Sequence, residues 1–261
     1  MKRNKSFITS PVRDKENNVL INDFVSVILL CEKAGRRMKS YGPTPLIEVG
    51  GRKLIDIQIS SIKALFKSFE IILACGFESD KVVKYVRNKY SNINIRVVEN
   101  QVYHHSNCCE SLRLCINNTV NDCLLIMSGD LLFYPESIGC VTSGKSCVVS
   151  QEISEGSNLE VGVITNDEEI SINFHYGIKG NIWSEILFLR GKGLIDDLRR
   201  TVSSIEFKNR LMFEALNSMI DSKCKLKVVK NPGPEILKIN NIKTLRKVNK
   251  LHEGYFRKLL Q

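Results

Sequence analysis

Short apolar runs alternate with polar segments through the first half of the chain. Runs of seven or eight residues rich in Val, Ile and Leu predict strands at 24–31, 69–76, 94–100 and 123–130. Strands that are apolar at nearly every position are typical of a parallel sheet covered on both faces.

Helical patterns lie between these strands. After the first strand, one helical face carries apolar residues at steps of four, three and four, namely Ile55, Ile59, Ile62 and Phe66. Ser79 is predicted to cap a second helix, and residues 107–118 are predicted to form a third. Repeated βα units of this kind predict an α/β fold with a mostly parallel sheet.

The pattern changes after about residue 145. Shorter segments follow, and the alternation in "EISINFHY" (169–176) indicates half-exposed antiparallel strands. Two helices are predicted around 193–203 and 206–220, and another at the C-terminus. We find no linker or repeat, so the sequence predicts a flexible lead-in over 1–22 and a single domain over 23–261.

Three polar segments follow predicted strands. They are the basic loop 31–46, the segment "YHHSNCCES" (103–111) and "SGD" (128–130). Ligands of open α/β sheets bind outside the carboxyl ends of the strands. The sequence therefore predicts a binding site where these three segments meet, and Gly and basic residues in the first of them suit a phosphate.

Composition narrows the class of protein. The chain is 43% hydrophobic and 25% charged, which is ordinary for a globular protein, and no apolar stretch approaches the roughly 20 residues of a membrane helix. A net charge of +10 suits a nucleotide or phosphorylated substrate as well as nucleic acid. Because no RNA-binding motif is present, nucleic acid is the less favoured partner.

Nine cysteines are scattered through the predicted strands and helices. Their odd number, together with an N-terminus that lacks an apolar signal region, predicts reduced thiols in the cytoplasm. No pair has the C-x-x-C spacing of a metal site, so we assign no metal to sulfur.

The order of motifs resembles a known family. The chain reads as a strand, a loop with Gly and Arg, "P-x-P-L" and "V-G-G-x-x-L-I", then "SN-x-x-x-SL" and "GD-x-x-F". This order is similar to that of the sugar-phosphate and phosphocholine nucleotidyltransferases, over residues 24–135. Weaker matches are "IW-x-x-I-x-F" near 182–188 and "EILKINNIKTL" near 235–245. The resemblance implies a Rossmann-like three-layer αβα fold, related to GT-A glycosyltransferases, with a more antiparallel C-terminal half.

The first motif of that family is a nucleotide-binding loop. Here "LCEKAGRRM" (30–38) resembles it, which implies that Cys31, Gly35 and Arg37 take part in triphosphate binding. Lys33 stands where the family has its first glycine and could add a positive charge. Glu32 would repel phosphate, so a solvated basic loop is an equally weighted interpretation.

The second motif departs from the family pattern. The family places a lysine in P-K-P-L, where its ammonium contacts the α-phosphate, whereas this chain has Thr44 in "GPTPL". A hydroxyl brings no positive charge, and loss of a positioned cation costs orders of magnitude in rate. Thr44 therefore places catalysis in question.

The remaining motifs supply polar and acidic groups. The resemblance implies that Asn107 and Ser111 contact the base or substrate from the start of a helix, although a plain N-cap explains Asn107 as well. It implies that Asp130 holds Mg²⁺, although Asp also commonly begins a turn. The second metal ligand corresponds to Asn240 in "KINN", with Asp221 and Glu235 as alternatives.

Three functional interpretations follow from the resemblance. The first is a diverged nucleotidyltransferase that joins a nucleoside triphosphate to a phosphorylated small molecule, a sugar phosphate or phosphocholine, with release of pyrophosphate. The second is a catalytically weakened member, a pseudoenzyme that binds a nucleotide or a protein partner. The third is a GT-A-type glycosyltransferase, which is disfavoured because that class carries D-x-D.

The resemblance also divides the domain. It implies a nucleotide-binding half over 23–140 and an acceptor-binding half with the C-terminal helix over 141–261. A homo-oligomer is compatible with the sequence, which leaves the oligomeric state open.

Overall fold

The structure, a computed structural model, describes residues 12–13, 19–20, 23–33, 38–152 and 160–259. Within these residues a main sheet of nine strands is flanked by helices. The strands are β1 Val25–Cys31, β2 Phe69–Cys75, β3 Ile95–Glu99, β4 Cys123–Ser128, β5 Cys147–Glu152, β6 Val161–Thr165, β7 Ser171–Tyr176, β8 Asn181–Arg190 and β9 Lys227–Lys230. The helices are α1 Leu54–Leu65, α2 Ser79–Lys89, α3 Cys108–Ile116, α4 Pro135–Ile138, α5 Lys192–Ser203, α6 Met212–Asp221 and α7 Ile242–Leu259.

The first four strands form the parallel part of the sheet. Their spatial order is β3-β2-β1-β4, and each neighbouring pair is parallel. The chain moves outward from β1 to β3 and then returns to the other side of β1 with β4. The order reverses between β1 and β4, so a crevice opens there at the carboxyl ends of the strands. These strands confirm the α/β prediction.

Side chains of β1 point alternately to two hydrophobic layers. Val27 and Leu29 pack in a cluster with the buried face of α1, and Ile28 and Leu30 pack in a second cluster with α3, α5 and α6. All seven residues of β1 are buried. The predicted helical face of α1 is also confirmed, since each of its four predicted apolar residues is at most 1% exposed.

The second half of the sheet is mainly antiparallel. Strand β8 pairs antiparallel with β4 and β5, and β6 pairs antiparallel with β7. This agrees with the alternation predicted for residues 169–176. Strand β9 is an exception, because it lies parallel to β5.

Short strand pairs join the periphery to the main sheet. Leu131–Leu132, just after β4, pairs with Leu237–Lys238 near the C-terminus. Helix α7 follows, and its Leu245 and Val248 pack with Met38 and Ile47. The C-terminal region is therefore anchored beside the loops that follow β1 and β4.

Two local predictions are wrong. Ser79 does not cap α2, because the residue before the helix is Glu78, in the left-handed region at φ 49°, and the Ser79 hydroxyl donates to Glu99 Oε1 at 2.7 Å. The helix predicted over 206–220 begins only at Met212, after a 3₁₀ turn at Ile205–Phe207. The intervening backbone instead accepts hydrogen bonds from the start of α3.

Other expectations concern the N-terminus, the thiols and membranes. In the predicted lead-in, Val12–Arg13 pairs antiparallel with Val19–Leu20. All nine cysteines are free thiols, as predicted. Among the described helices, none combines the length and the apolar character of a membrane span.

Candidate functional site

The crevice between β1 and β4 opens into a cavity of about 380 Å³. Cys31 and Lys33 line it from the end of β1, and Ser128 and Asp130 line it from the end of β4. Residues of β6, β7, β8 and the start of α6 also line it, as do Thr44, the start of α3, Lys238 and Ile239. The cavity therefore joins the parallel half of the sheet to the antiparallel half.

The structure brings five of the predicted site residues together. Those that line the cavity are Cys31, Lys33, Thr44, Asn107 and Asp130. Gly35 and Arg37 lie outside the described residues. Ser111 and Asn240 are described but do not line the cavity.

Lys33 links the loop after β1 to the start of α3. Its Nζ donates to Asn107 Oδ1 at 2.7 Å, and the same oxygen accepts the Cys108 backbone N–H at 3.1 Å as an N-cap. Thr44 secures the loop from the other side, since its Oγ1 donates to the Lys33 carbonyl at 3.0 Å. An ammonium and the positive end of a helix therefore lie together at one end of the cavity.

Ser111 belongs to α3 but does not line the cavity. It is fully buried, and its hydroxyl accepts from Asn100 Nδ2 at 2.9 Å. The same amide also donates to Ser106 Oγ at 3.0 Å. The contact of Ser111 with base or substrate that the resemblance implies is therefore not supported, because the side chain holds the 100–106 segment against α3.

Asp130 is held in place at the end of β4. Ser128 Oγ donates to its Oδ1 at 2.8 Å, and Ile239 N donates to its carbonyl oxygen at 2.7 Å. Burial raises the pKa of Asp130, while the nearby Lys238 charge and the Ser128 hydrogen bond oppose that rise. The Asp130 carboxylate therefore lies near a cation, Lys238, to which the sequence analysis assigned no role.

Gly129 permits the close approach of β1 and β4. A Cβ there would lie 2.1 Å from Cys31 Sγ and 2.8 Å from the Leu30 carbonyl oxygen, which already accepts the Gly129 N–H. The burial of Cys31 raises the pKa of its thiol. Cys31 is thus a neutral packing group at the base of the crevice.

Solved structures share this arrangement of the fold. The chain matches the CTP:phosphocholine cytidylyltransferase from Streptococcus pneumoniae at 19% identity and a TM-score of 0.71, over 88% of this chain and 99% of that one. It matches the inositol-1-phosphate CTP transferase from T. maritima at 16% identity and a TM-score of 0.73, over 88% and 94%. The chain has the nucleotidyltransferase fold. A nucleoside-diphosphate-sugar pyrophosphorylase from Vibrio cholerae RC9 is also similar, at 12% identity and a TM-score of 0.68, over 86% and 99%.

The likeness is one of fold at low identity. Scans against protein-family models and against curated proteins find no match. The predicted resemblance to nucleotidyltransferases is confirmed at the level of the fold, with a mostly parallel sheet and antiparallel strands in the second half.

Within this nucleotidyltransferase fold, Lys238 occupies the acidic end of the cavity. Its ammonium donates to the Glu185 carboxylate and lies near Asp130. Burial works against the charged form of Lys238, but the two carboxylates outweigh burial and raise the pKa of the ammonium. Lys238 is therefore protonated at neutral pH, with one positive charge between two acids.

Glu185 lies at an irregularity of β8. Pairing between β5 and β8 shifts register between Val148 and Ser150, and Glu185 has a left-handed φ of 57° at that point. A β-bulge bends its strand locally. Glu185 lines the cavity together with Trp183, two positions before it.

The residues around Asp130 do not fit the Mg²⁺ that the resemblance implies. Mg²⁺ requires several oxygen ligands in octahedral geometry, whereas an ammonium stands beside this carboxylate. The expected second ligand, Asn240, is exposed, and its Oδ1 accepts from Asn241 Nδ2 at 2.7 Å. No group of three His, Cys, Asp or Glu side chains suitable for a metal occurs within the described part of the chain.

The two alternatives for the second ligand are not at the cavity either. Asp221 is exposed at the end of α6. Glu235 is exposed and pairs with Lys247 at 3.7 Å.

Glu32 is the third acid of the lining. It is 4% exposed, and its Oε2 has no hydrogen-bond partner among the described residues. Burial raises the pKa of Glu32, although the Lys33 charge opposes this. Burial therefore favours the neutral form of this carboxyl, which repels phosphate less than a carboxylate does.

Sequence reasoning missed the aromatic part of the lining. Tyr176 and Phe213 pack edge to face with ring centroids 5.3 Å apart, and Trp183 packs edge to face on Phe174, also at 5.3 Å. In the sequence, only the weak family match "IW-x-x-I-x-F" near 182–188 pointed to this aromatic region. Lys238 lies within the segment near 235–245 that resembles the family, but no neighbouring residue in the sequence indicates that it pairs with Glu185.

Proposed function

We propose that the protein transfers a nucleotidyl group from a nucleoside triphosphate to a phosphorylated small molecule. The observation that supports this most is the cavity at the β1–β4 crevice, which is lined by Lys33 beside the start of α3 and by Lys238. Two cationic groups in one cavity suit a ligand that carries several phosphates. Structural neighbours named as a cytidylyltransferase and a CTP transferase support the same chemistry.

The proposed reaction is an in-line displacement. A phosphate oxygen of the acceptor attacks the α-phosphorus, a new phosphoanhydride bond forms, and the bond to the β-phosphate breaks as pyrophosphate leaves. Lys33 and the N–H groups at the start of α3 would bind the triphosphate. The resemblance assigns Arg37 to the same phosphates, and that role stays a prediction. Nine free thiols suit a reducing compartment such as the cytoplasm.

The part of the lining formed by β7, β8 and α6 favours an acceptor that carries a positive charge. Tyr176, Trp183 and Phe213 line the same cavity as the carboxylate of Glu185. Aromatic faces and carboxylates bind quaternary ammonium groups through cation–π and charge interactions. Phosphocholine is therefore favoured as the acceptor over the phosphate of an uncharged sugar.

A pyrophosphate-release screen tests the proposed function. Four common triphosphates are each combined with phosphocholine or pooled sugar phosphates, with Mg²⁺ or with EDTA. We expect release that requires both substrates, and Lys33→Met is expected to reduce it. The matched control is Lys39→Met, because Lys39 lies in the same loop but outside the lining. Absence of release together with absence of triphosphate binding by calorimetry would refute the function.

One observation favours a second candidate, a nucleotide-binding protein without turnover. The Thr44 hydroxyl donates to the Lys33 carbonyl, so the position of the family lysine offers neither a charge nor a free donor to phosphate. This candidate predicts triphosphate binding by calorimetry without pyrophosphate release in any combination of the screen.

A further inference from the structure

Lys238 lines the cavity beside Asp130 and Glu185. Its ammonium carries three N–H donors, and one of them goes to Glu185. Lys238 lines the cavity and keeps 39% of its side chain exposed. Donors therefore remain for a ligand that enters the cavity.

The position of this ammonium is fixed by the fold. Lys238 pairs with Leu131 in a short antiparallel ladder, and the next residue, Ile239, donates its N–H to the Asp130 carbonyl. Glu185 reaches the same place from the bulge in β8. The segments around residues 131, 185 and 238 thus place the Lys238 ammonium at the acidic end of the cavity.

The charge arrangement explains how phosphate could bind without a metal. Two carboxylates alone would repel phosphate and attract a divalent cation. With Lys238 between them, the net charge of the three groups changes from −2 to −1, the ammonium is the member that can contact a phosphate oxygen, and a divalent ion would have to approach against it.

We propose that Lys238 replaces a metal ion in this protein and binds the phosphate oxygens of the triphosphate directly. Nucleotide binding is then independent of divalent cations. This inference rests on the proposed function, since it names the group that holds the nucleotide at the same site.

Calorimetric titration with each triphosphate tests the inference. The full-length protein is titrated in EDTA and in Mg²⁺, and the two dissociation constants are expected to agree within about threefold. Lys238→Met removes the charge while keeping the chain length, and it is expected to weaken binding in EDTA by about 10- to 100-fold, the value of a charge-assisted hydrogen bond. The control is Lys230→Met, since Lys230 forms an exposed ion pair with Glu152 outside the lining.

A second variant tests the inference by metal binding, without a nucleotide. Lys238→Glu places a third carboxylate beside Asp130 and Glu185, which creates a site for a divalent cation. The electron paramagnetic resonance signal of free Mn²⁺ is expected to fall when this variant is added and to stay unchanged with the natural protein. Circular dichroism and thermal melting verify that each variant is folded.

The outcomes separate the inference from the proposed function. Equal binding in EDTA and Mg²⁺, weakened in Lys238→Met, supports the inference, and pyrophosphate release in the screen then supports the proposed function. Binding that requires Mg²⁺, or Mn²⁺ binding by the natural protein, overturns the inference and leaves the proposed function standing. Absence of triphosphate binding under both conditions overturns both.

Discussion

Thr44→Lys adds to the cavity the positive charge that the resemblance to nucleotidyltransferases implies at this position. Thr44 is 4% exposed, lies in a 3₁₀ turn over Thr44–Leu46 and lines the cavity. A lysine there can extend its four-carbon chain into the space of about 380 Å³. The substitution therefore adds a cation close to Lys33 and to the start of α3.

The cost and the gain of this substitution can both be estimated. The lost hydrogen bond to the Lys33 carbonyl is worth about 1 kcal/mol of stability. The described lining holds three carboxyl groups and two ammonium groups, so a third ammonium balances the acids. One positioned charged donor is worth about 10²–10³ in rate. Because this position is not optimised around a lysine, we expect pyrophosphate release to rise at least about tenfold.

Steady-state pyrophosphate release, measured with the triphosphate and acceptor that the screen identifies, is the assay. Thr44→Val is the matched control, since it removes the hydroxyl at constant shape and adds no charge. It is expected to lose about 1 kcal/mol in urea unfolding and to show no rise in rate. A folded Thr44→Lys variant with neither faster release nor tighter triphosphate binding would contradict the reasoning.

Three further predictions concern stability. Burial would raise the pKa of Asp56, but hydrogen bonds from Lys89 and two tyrosines lower it overall, so its stabilisation is present above pH about 4 and is lost as pH falls through the lower folded pKa. Asp56→Asn should therefore lose most stability at neutral pH and least in acid, as urea unfolding across pH will show. Gly129→Ala is expected to cost about 1–3 kcal/mol through its clash with Cys31, measured by thermal melting. Glu70→Ala should cost about 3 kcal/mol in urea unfolding, because buried Glu70 accepts hydrogen bonds from several side chains.

Each of these predictions has a control or a contradicting result. A constant difference between natural protein and Asp56→Asn from pH 3 to 7 would refute the assigned pKa shift. Gly139→Ala is the control for Gly129, because a Cβ at Gly139 meets no atom within 4 Å. A Glu70→Ala variant as stable as the natural protein would show that its hydrogen bonds contribute nothing net.

Local pattern was sufficient for most of the fold. The apolar runs at β1, β2 and β4 and the helical face of α1 were predicted because side-chain periodicity is a property of a few consecutive residues. The convergence of three segments at the carboxyl ends of the strands followed from the parallel arrangement alone. Cys31, Lys33 and Asp130 consequently lie at one cavity.

Local pattern was insufficient where a side chain depends on distant partners. The family motif "SN-x-x-x-SL" implies that Ser111 contacts the ligand, but in the structure its hydroxyl accepts a hydrogen bond from Asn100. A match of four residues implies that Asn240 is the second metal ligand, but the residue that lines the cavity is Lys238, two positions earlier. Such short matches carry no information on which side chain of a strand faces a cavity.

The order of strands and helices, the parallel core and the edge of the sheet that carries the candidate site could be predicted from the amino-acid sequence, because these depend on periodicity within single elements. The charge at the acidic end of the cavity depends instead on tertiary contacts. Lys238 and Glu185 are 53 positions apart, and their contact depends on a strand pair and a bulge formed between remote segments.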